Sequence, residues 1–425
     1  HTAESVSEGL KTTTTFTGAD LGLSATFTVN FVYEKRSSTV ATSKSEPRTG
    51  SESTTYLGGS NTNYEGQFRI LESDYRLGVH IPQQQNNGVV VSVIGQGVVM
   101  NHEAFGDDAF WQNSGENCSN GADDDGNGYN DDCYGYDFAH DIGFNQIINR
   151  EMIIDSHETQ VAGIITGESV KNGYRSINPK SQIMNLKVVR DSDRKLLVSA
   201  VEKSIRYSAD NIGGKCILNL SFSILDSDNF IRDALEYAYR KGCLIISSTG
   251  NSGRLNVFAP QYYSDYVEGI TGLDPNGMER HLGSSWSDSV MFASPVIKVY
   301  SLAGSDGYYA ATGTSFSTPI ISGIASLIWG NNPNLSRQNI LDKLTNHSDP
   351  SIGSEDRVGK GKIKVRELVE SYVDLHFKTV QADIDNDGQL EQLKVEISTK
   401  DGAFNKGYIT HIIDDGVQYS VFREI

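Results

Sequence analysis

From residue 88 onward, short apolar runs alternate with segments of helical periodicity. Four of the runs have the length and composition of buried strands: GVVVSVIGQG, QIMNLKVVR, KCILNLSFS and CLIISSTGN. The segments HETQVAGIITG, LVSAVEKSIRYSADN and FIRDALEYAYRKG have helical spacing. Because buried strands that alternate with helices form parallel sheets covered on both faces, residues 88–366 are predicted to form a doubly wound α/β domain. Functional side chains in such domains lie at the carboxyl ends of the strands.

Two regions with a different composition and sequence pattern flank this domain. Residues 1–87 are rich in Thr, Ser and Gly and contain one alternating stretch, ATFTVNFVYEK, which is typical of a small β-module, a propeptide remnant or a stalk. Residues 367–425 contain the alternating segments LHFKTVQADI, QLEQLKVEIS and YITHIIDDG, which predict a small antiparallel β-extension. The N-terminal sequence HTAESVSEGL has neither a basic region nor an apolar core, so we expect a processed or trimmed chain.

Charge and cysteine usage restrict the partners and the compartment. The net charge of −18 disfavours nucleic acid and anionic lipid, and the sequence has no apolar run long enough for a membrane span. Cys118 and Cys133 bracket a short acidic loop and are predicted to form a disulfide, which indicates a secreted, periplasmic or cell-surface protein. Cys216 and Cys243 each begin an apolar run, and they are either buried free thiols or a second bridge. No oligomeric state is predicted.

Three separated segments carry residues that acyl transfer requires. Pro319, in ATGTSFSTPIISG, is predicted to lie in the first turn of a helix, which makes Ser315 either an N-cap or a nucleophile at the positive end of the helix dipole. His157 begins a predicted helix, and Asn251 follows a predicted strand. Together these three residues could supply a nucleophile, a base and an oxyanion donor.

These segments resemble the motifs of one enzyme family. GTSFSTP at 313–319, SHETQVAG at 156–163, SSTGN at 247–251 and LNLSFS at 218–223 are similar to the serine, histidine, oxyanion-asparagine and substrate-strand motifs of the subtilisin-like serine peptidases. The resemblance covers most of residues 88–345 and implies the doubly wound, mainly parallel fold of that family. It also implies that Ser315 is the nucleophile, His157 the general base and Asn251 the oxyanion donor. A peptide or protein ligand would then bind as an added strand along Ser221, Phe222 and Ser223.

The resemblance breaks down at the third member of the triad. The family ends its first core strand with an aspartate, whereas this chain has VIGQGV at 93–98 and therefore Gly95 at that position. Gly95 is either natural or introduced to silence an enzyme. In subtilisin the loss of this aspartate lowers turnover about 3 × 10⁴-fold, or about 6 kcal/mol. We therefore expect weak or conditional activity, and we expect Gly95→Asp to increase the reaction of Ser315 with a fluorophosphonate.

The histidine motif also departs from the family. Members of the family have glycine directly after the histidine and a second histidine two residues later, where this chain has Glu158 and Gln160. The Glu158 side chain would either crowd the groove or replace the missing carboxylate, and Asp155 and Glu103 are the other candidate acids. Two further functions stay open on this basis: a catalytically dead pseudoprotease that binds extended peptides or a protein partner, and a calcium-stabilised surface interaction protein that acts through its terminal modules.

Two acidic loops have the spacing of calcium-binding loops. The first is rich in oxygen donors and is predicted to bind structural Ca²⁺ through Asp123, Asp125, Asn127, the Tyr129 carbonyl and Asp131. The second, DIDNDGQLE, repeats this spacing with Asp383, Asp385, Asp387, Gln389 and Glu391. Carboxylates crowded in this way repel one another unless a cation or water screens them. A solvated acidic turn is the alternative for each loop.

Overall fold

The computed structural model describes residues 10–16, 27–33, 89–118, 120–144, 157–169, 174–225, 229–256, 258–274, 277–352, 355–370, 374–382, 391–400, 403–414 and 417–424. The chain divides into two compact units. One comprises His1–Thr62 and Tyr372–Ile425, and the other comprises Asn63–Ser371. The second unit contains the α/β domain predicted from the sequence.

The strands and helices follow the predicted alternation. The strands are β1 Leu10–Phe16, β2 Phe27–Tyr33, β3 Val90–Gly95, β4 Gly135–Asp137, β5 Ile142–Gly143, β6 Glu168–Ser169, β7 Tyr174–Arg175, β8 Gln182–Lys187, β9 Cys216–Leu220, β10 Leu244–Ser248, β11 Glu268–Leu273, β12 Val290–Pro295, β13 Val299–Ala303, β14 Gly307–Ala311, β15 Ser348–Asp349, β16 Lys362–Ile363, β17 Asp374–Ala382, β18 Glu391–Lys400, β19 Ala403–Asp414 and β20 Val417–Glu424. The helices are α1 His157–Ile165, α2 Val198–Asn211, α3 Phe230–Arg240, α4 Thr314–Asn331, α5 Arg337–Asn346, α6 Glu355–Val358 and α7 Val365–Glu370.

A single large sheet organises the second unit. Its strand order is β15-β16-β12-β11-β10-β9-β3-β8-β4-β5. Neighbouring strands from β16 to β4 are parallel, and β15 and β5 are antiparallel at the two edges. The four strands predicted from the sequence are β3, β8, β9 and β10, and they lie side by side in the centre of this sheet. The predicted doubly wound, mainly parallel α/β fold is confirmed.

Side chains on successive residues of the central strands point to opposite faces of the sheet. Ile94 of β3 and Leu218 of β9 belong to an apolar cluster that includes Val201 of α2 and Leu235 of α3. On the other face, the Asn219 amide oxygen accepts a hydrogen bond of 2.9 Å from Ser322 of α4. Helix α4 packs against β9, β10, β11 and β12, and α1 packs against α4. The helices therefore cover both faces of the sheet.

Two disulfides are present in the second unit. Cys118 and Cys133 are bridged, with their Cα atoms 5.8 Å apart, so the predicted bridge is confirmed. Cys216 and Cys243 form a second bridge with a Cα–Cα distance of 4.5 Å. The free-thiol interpretation of this pair was therefore wrong, because β9 and β10 are hydrogen-bonded neighbours that bring the two cysteines together at their amino ends. No helix in the described parts of the chain combines the length and apolar character needed to cross a bilayer.

The terminal strands form two antiparallel sheets. β1 and β2 pair over their whole length, and β2 matches the alternating stretch predicted in the N-terminal region. β17, β18, β19 and β20 form a four-stranded sheet in sequence order. The predicted antiparallel extension after residue 367 is therefore present, although neither β1 nor β20 was predicted from the sequence. The boundaries proposed for the flanking modules, 1–87 and 367–425, stay predictions.

Gly163 lets helix α1 approach strand β13 closely. A Cβ atom on Gly163 would lie 2.5 Å from Leu302 Cγ and 2.7 Å from Ser301 Oγ. We therefore expect Gly163→Ala to lower the free energy of unfolding by about 1–3 kcal/mol, because overpacking displaces buried neighbours. Urea unfolding measures this change. Gly213→Ala is the matched control, since a Cβ there has no heavy atom within 4 Å, and an equal loss of stability in both variants would contradict the packing argument.

Candidate active site

Ser315 lies in the first turn of the buried helix α4. It is the second residue of the helix, so its hydroxyl lies at the end where backbone N–H groups have no helical partners. Pro319 is the sixth residue, so the prediction that it occupies the first turn was wrong. An interior proline removes the hydrogen bond to the carbonyl four residues earlier, which here is the carbonyl of Ser315.

Ser221 compensates for that missing hydrogen bond. Its hydroxyl donates to the Ser315 carbonyl at 2.9 Å, and the Ser315 hydroxyl donates to the Ser221 carbonyl at 3.1 Å. Because Ser221 directly follows β9, this reciprocal pair joins the carboxyl end of the sheet to the start of α4. The Ser315 hydroxyl has a single proton, so in this arrangement it does not donate to a histidine.

Asn251 is oriented by the same helix start. Its Oδ1 accepts hydrogen bonds from the Thr314 backbone N–H at 2.9 Å and from the Thr314 hydroxyl at 3.1 Å. A backbone N–H can only donate, so the atom that faces it must be the amide oxygen, and Nδ2 is the donor that remains. Nδ2 lies 3.3 Å from where a Cβ on Gly313 would be, and Gly313 has a φ of 154°. Glycine thus suits this turn in both backbone angle and space.

His157 lies beside this serine turn. It is the first residue of α1, and its ring centroid is 5.4 Å from that of Phe316, the residue after Ser315. Its Nδ1 is 2.9 Å from Oε1 of Glu158. The His157 side chain is 24% exposed, whereas the Glu158 side chain is only 4% exposed. The carboxylate is therefore buried, and it is paired with Nδ1 of a ring that is partly open to solvent.

Gly95 borders the Glu158 carboxylate at the carboxyl end of β3. A Cβ atom on Gly95 would lie 2.0 Å from Glu158 Oε1, 2.4 Å from its Cδ and 2.7 Å from its Cγ. Because a side chain at residue 95 would displace Glu158 from His157, we now expect Gly95→Asp to lower rather than increase the reactivity of Ser315. The interpretation that Glu158 crowds the groove is also wrong, since its side chain points into the protein.

The other acids considered from the sequence are placed differently. Glu103 accepts hydrogen bonds from the hydroxyls of Tyr308 at 2.9 Å and Ser169 at 3.4 Å. Asp155 lies outside the described residues. Gln160, at the second departure from the family motif, is buried in α1, and its carbonyl accepts a hydrogen bond of 2.6 Å from Ser301. Of the two candidate acids among the described residues, Glu158 is thus the one that the structure brings to His157.

The predicted peptide-binding segment is partly engaged within the protein. The Phe222 carbonyl accepts a hydrogen bond of 2.8 Å from Gln261, and the Ser223 hydroxyl is 3.4 Å from the Gln261 amide oxygen. Gln261 is fully buried. Gln261 therefore holds Phe222 and Ser223 from within the protein, and the peptide-binding role of Ser221, Phe222 and Ser223 stays a prediction.

The acidic loop between Cys118 and Cys133 brings together a different set of carboxylates from the predicted one. Oxygen atoms of Glu116, Asp123 and Asp125 lie within 4.8 Å of one another. Asn127 Oδ1 instead accepts the Tyr129 N–H, and the Asp131 carboxylate accepts the N–H groups of Asn120 and Gly121.

Asp123 and Asp125 of the predicted set thus lie together with Glu116, and Asp131 is not part of this group. The carboxylates of Asp123 and Asp125 also accept N–H groups of the loop. The metal-binding role of each residue stays a prediction. Glu116 was missed because it precedes the recognisable spacing. The second predicted loop, with Asp383, Asp385, Asp387 and Gln389, lies outside the described residues, and Glu391 begins β18.

Comparison with known proteins is consistent with this geometry. Residues 86–362 match the family model described as the Subtilase family. The chain belongs to the subtilase family. This membership supports a protease-like function and confirms the family predicted from the motifs. The assignment of Gly95 to the aspartate position stays a prediction.

Among curated relatives, thermitase from Thermoactinomyces vulgaris is 27% identical over 219 residues, which are 51% of this chain and 75% of that protein. Alkaline elastase YaB from Bacillus sp. (strain YaB) is 27% identical over 209 residues, which are 49% of this chain and 54% of that protein. The match therefore spans about half the length of this second relative. Among solved structures, sphericase has a TM-score of 0.53 with 24% identity, covering 66% of this chain and 92% of that chain, and it supports the fold.

The Ser221–Ser315 pair can be tested by a double-mutant cycle. We expect Ser221→Ala to lower the free energy of unfolding by about 1 kcal/mol, because the Ser315 carbonyl loses its donor. In a Pro319→Ala background the new N–H can bond to that carbonyl, so the same substitution should cost less. Urea unfolding of the four proteins measures the coupling, and equal costs in both backgrounds would contradict this account of Pro319.

Proposed function

We propose that this chain is a subtilisin-like serine endopeptidase that cleaves peptide bonds by acyl transfer. Ser315 Oγ attacks the peptide carbonyl carbon, and its proton passes to His157 Nε2. The protonated histidine then returns the proton to the leaving amine, and water hydrolyses the Ser315 ester by the reverse sequence. Asn251 Nδ2 and the N–H groups at the start of α4 stabilise the oxyanion.

One observation supports this proposal most strongly: the start of α4 is in contact with all three other segments that carry the motifs. Thr314 bonds to Asn251, Ser315 bonds to Ser221, and Phe316 packs against His157. Three successive residues thus bring the oxyanion donor, the substrate strand and the base to the nucleophile. Such convergence of side chains from distant segments at one helix N-terminus is what acyl transfer requires. A peptide pairing along Ser221, Phe222 and Ser223 would present its carbonyl there.

A second candidate function, a peptide-binding pseudoprotease, is favoured by the resting arrangement of Ser315. Its hydroxyl donates to the Ser221 carbonyl, so the side chain must rotate before His157 can accept the proton. A chain in which this rotation does not occur would bind extended peptides without cleaving them. The two functions therefore differ in the reactivity of one hydroxyl group.

Labelling by a fluorophosphonate distinguishes these functions. We expect the unaltered full-length chain to be labelled at Ser315, with complete loss of label in Ser315→Ala and at least about a 10³-fold slower reaction in His157→Ala. Mass spectrometry of the labelled peptide and stopped-time gel fluorescence measure these outcomes. Ser305→Ala is the control and should label normally. A folded chain that resists labelling at Ser315 would refute the peptidase proposal and favour the binding function.

We further propose that Glu116, Asp123 and Asp125 hold a structural Ca²⁺ ion. Their hard carboxylate oxygens suit Ca²⁺, and three negative charges within 4.8 Å repel one another without a cation. The Asp123 carboxylate also accepts the N–H groups of Gly126 and Gly128, which fold the loop around it. The adjacent Cys118–Cys133 bridge closes the same loop, and the two disulfides favour a secreted, periplasmic or cell-surface location.

Calcium should raise the melting temperature of this protein. At a Ca²⁺ concentration near 100 times Kd, binding contributes about 2.7 kcal/mol, which corresponds to a rise of roughly 3–5 °C for a chain of this size. Differential scanning calorimetry with Ca²⁺ and with EDTA measures this rise. We expect Asp123→Asn to abolish the shift and Asp107→Asn, at an exposed position outside the loop, to retain it. Identical melting temperatures with Ca²⁺ and EDTA would exclude the site.

A further inference from the structure

We infer, on the basis of the peptidase function proposed above, that Glu158 is the positioning acid of His157 and that it replaces a carboxylate at residue 95. Its Oε1 lies 2.9 Å from His157 Nδ1, and its side chain is 4% exposed. A buried carboxylate at Nδ1 fixes the tautomer that carries the Nδ1 proton, leaves Nε2 as the base, and stabilises the imidazolium formed during attack. The triad acid has in effect moved from the end of strand β3 to the first turn of helix α1.

The fit between Gly95 and Glu158 shows how the two residues depend on each other. A Cβ atom on Gly95 would lie 2.7 Å from Cγ, 2.4 Å from Cδ and 2.0 Å from Oε1 of Glu158. The φ of Gly95 is not positive, so its backbone does not require glycine. Glycine therefore leaves the space that the Glu158 side chain occupies in this arrangement. Replacing an aspartate by glycine alone would leave an empty volume at residue 95, whereas in this structure the Glu158 carboxylate fills that volume.

The location of Glu158 suits a carboxylate that pairs with a histidine. Residues next to each other in a helix ordinarily point to different sides, but His157 is the first helical residue, so its side chain is free to turn back toward Glu158. The positive end of the α1 dipole favours a negative side chain in its first turn. Glu158 Oε2 is buried and has no hydrogen-bond partner among the described residues. Such an oxygen costs stability, which is consistent with a position kept for its action on His157.

Moving the carboxylate from residue 158 to residue 95 provides the test. Glu158→Gln keeps the side-chain shape, and we expect it to lower kcat/KM for a peptide substrate about 10³–10⁴-fold, as should Glu158→Gly. Gly95→Asp alone should also lower kcat/KM, because its side chain collides with Glu158 and brings a second carboxylate to it. The double variant Gly95→Asp/Glu158→Gly returns the acid to the strand, and it should exceed Glu158→Gly in kcat/KM by about 10²-fold or more.

Controls separate a positioning role from a structural one. Glu168→Gln removes an exposed carboxylate after the same helix and should retain the kcat/KM of the unaltered chain. The low-field proton resonance of His157 Nδ1–H, assigned by its loss in His157→Ala, should be present in the unaltered chain and the double variant and absent in Glu158→Gly. Melting temperatures show whether each variant is folded.

The outcomes test the role of Glu158, the peptidase function and the pairing of Glu158 with His157 separately. Unchanged kcat/KM in folded Glu158→Gln, or a double variant no better than Glu158→Gly, would overturn the role of Glu158 while the peptidase function stands. If neither labelling nor cleavage occurs in the unaltered chain, but the resonance follows the carboxylate through the variants, the peptidase function is wrong and the pairing of Glu158 with His157 is retained. If the resonance is absent from the unaltered chain as well, the pairing itself is refuted.

Discussion

The buried start of helix α4 is the constraint on which the rest of the site depends. An 18-residue helix packed against four neighbouring strands of a parallel sheet has little freedom to shift, so its first turn is a fixed reference. Thr314 fixes the amide of Asn251, and Ser315 exchanges hydrogen bonds with Ser221. Asn251 and Ser221 both lie at the carboxyl ends of strands. Pro319 contributes by removing one helical hydrogen bond, which leaves the Ser315 carbonyl available to Ser221.

The acid beside His157 illustrates how one chemical requirement can be met from two backbone positions. An imidazole base needs a carboxylate on one particular nitrogen, and the requirement concerns where the oxygen lies rather than which residue carries it. Glu158 is longer than aspartate by one methylene and starts from a helix instead of a strand. Its carboxylate reaches His157 Nδ1 through the space that Gly95 leaves open. The absence of a side chain at residue 95 and the carboxylate at residue 158 are thus parts of one arrangement.

Local patterns were sufficient to predict much of the fold and part of the site. β3, β8, β9 and β10 are continuous apolar runs, and α2 and α3 have strong helical periodicity, so the sequence signal was unambiguous. Ser315, His157 and Asn251 could be selected because each lies in a recognisable segment. Glu116 could not, because its proximity to Asp123 arises from the folded loop rather than from spacing. The position of Pro319 was predicted wrongly because helix α4 begins at Thr314, more than one turn before the proline.

The sequence by itself determined the parallel α/β architecture and the family, since apolar periodicity and short motifs are properties of neighbouring residues. It also predicted the reactive side chains and predicted that Gly95 and Glu158 both depart from the family pattern. Only the tertiary structure decided that these two departures meet, because residues 95 and 158 lie on different elements whose separation depends on how α1 packs beside β3. The pairing of Cys216 with Cys243 was decided in the same way, by which strands became neighbours in the sheet.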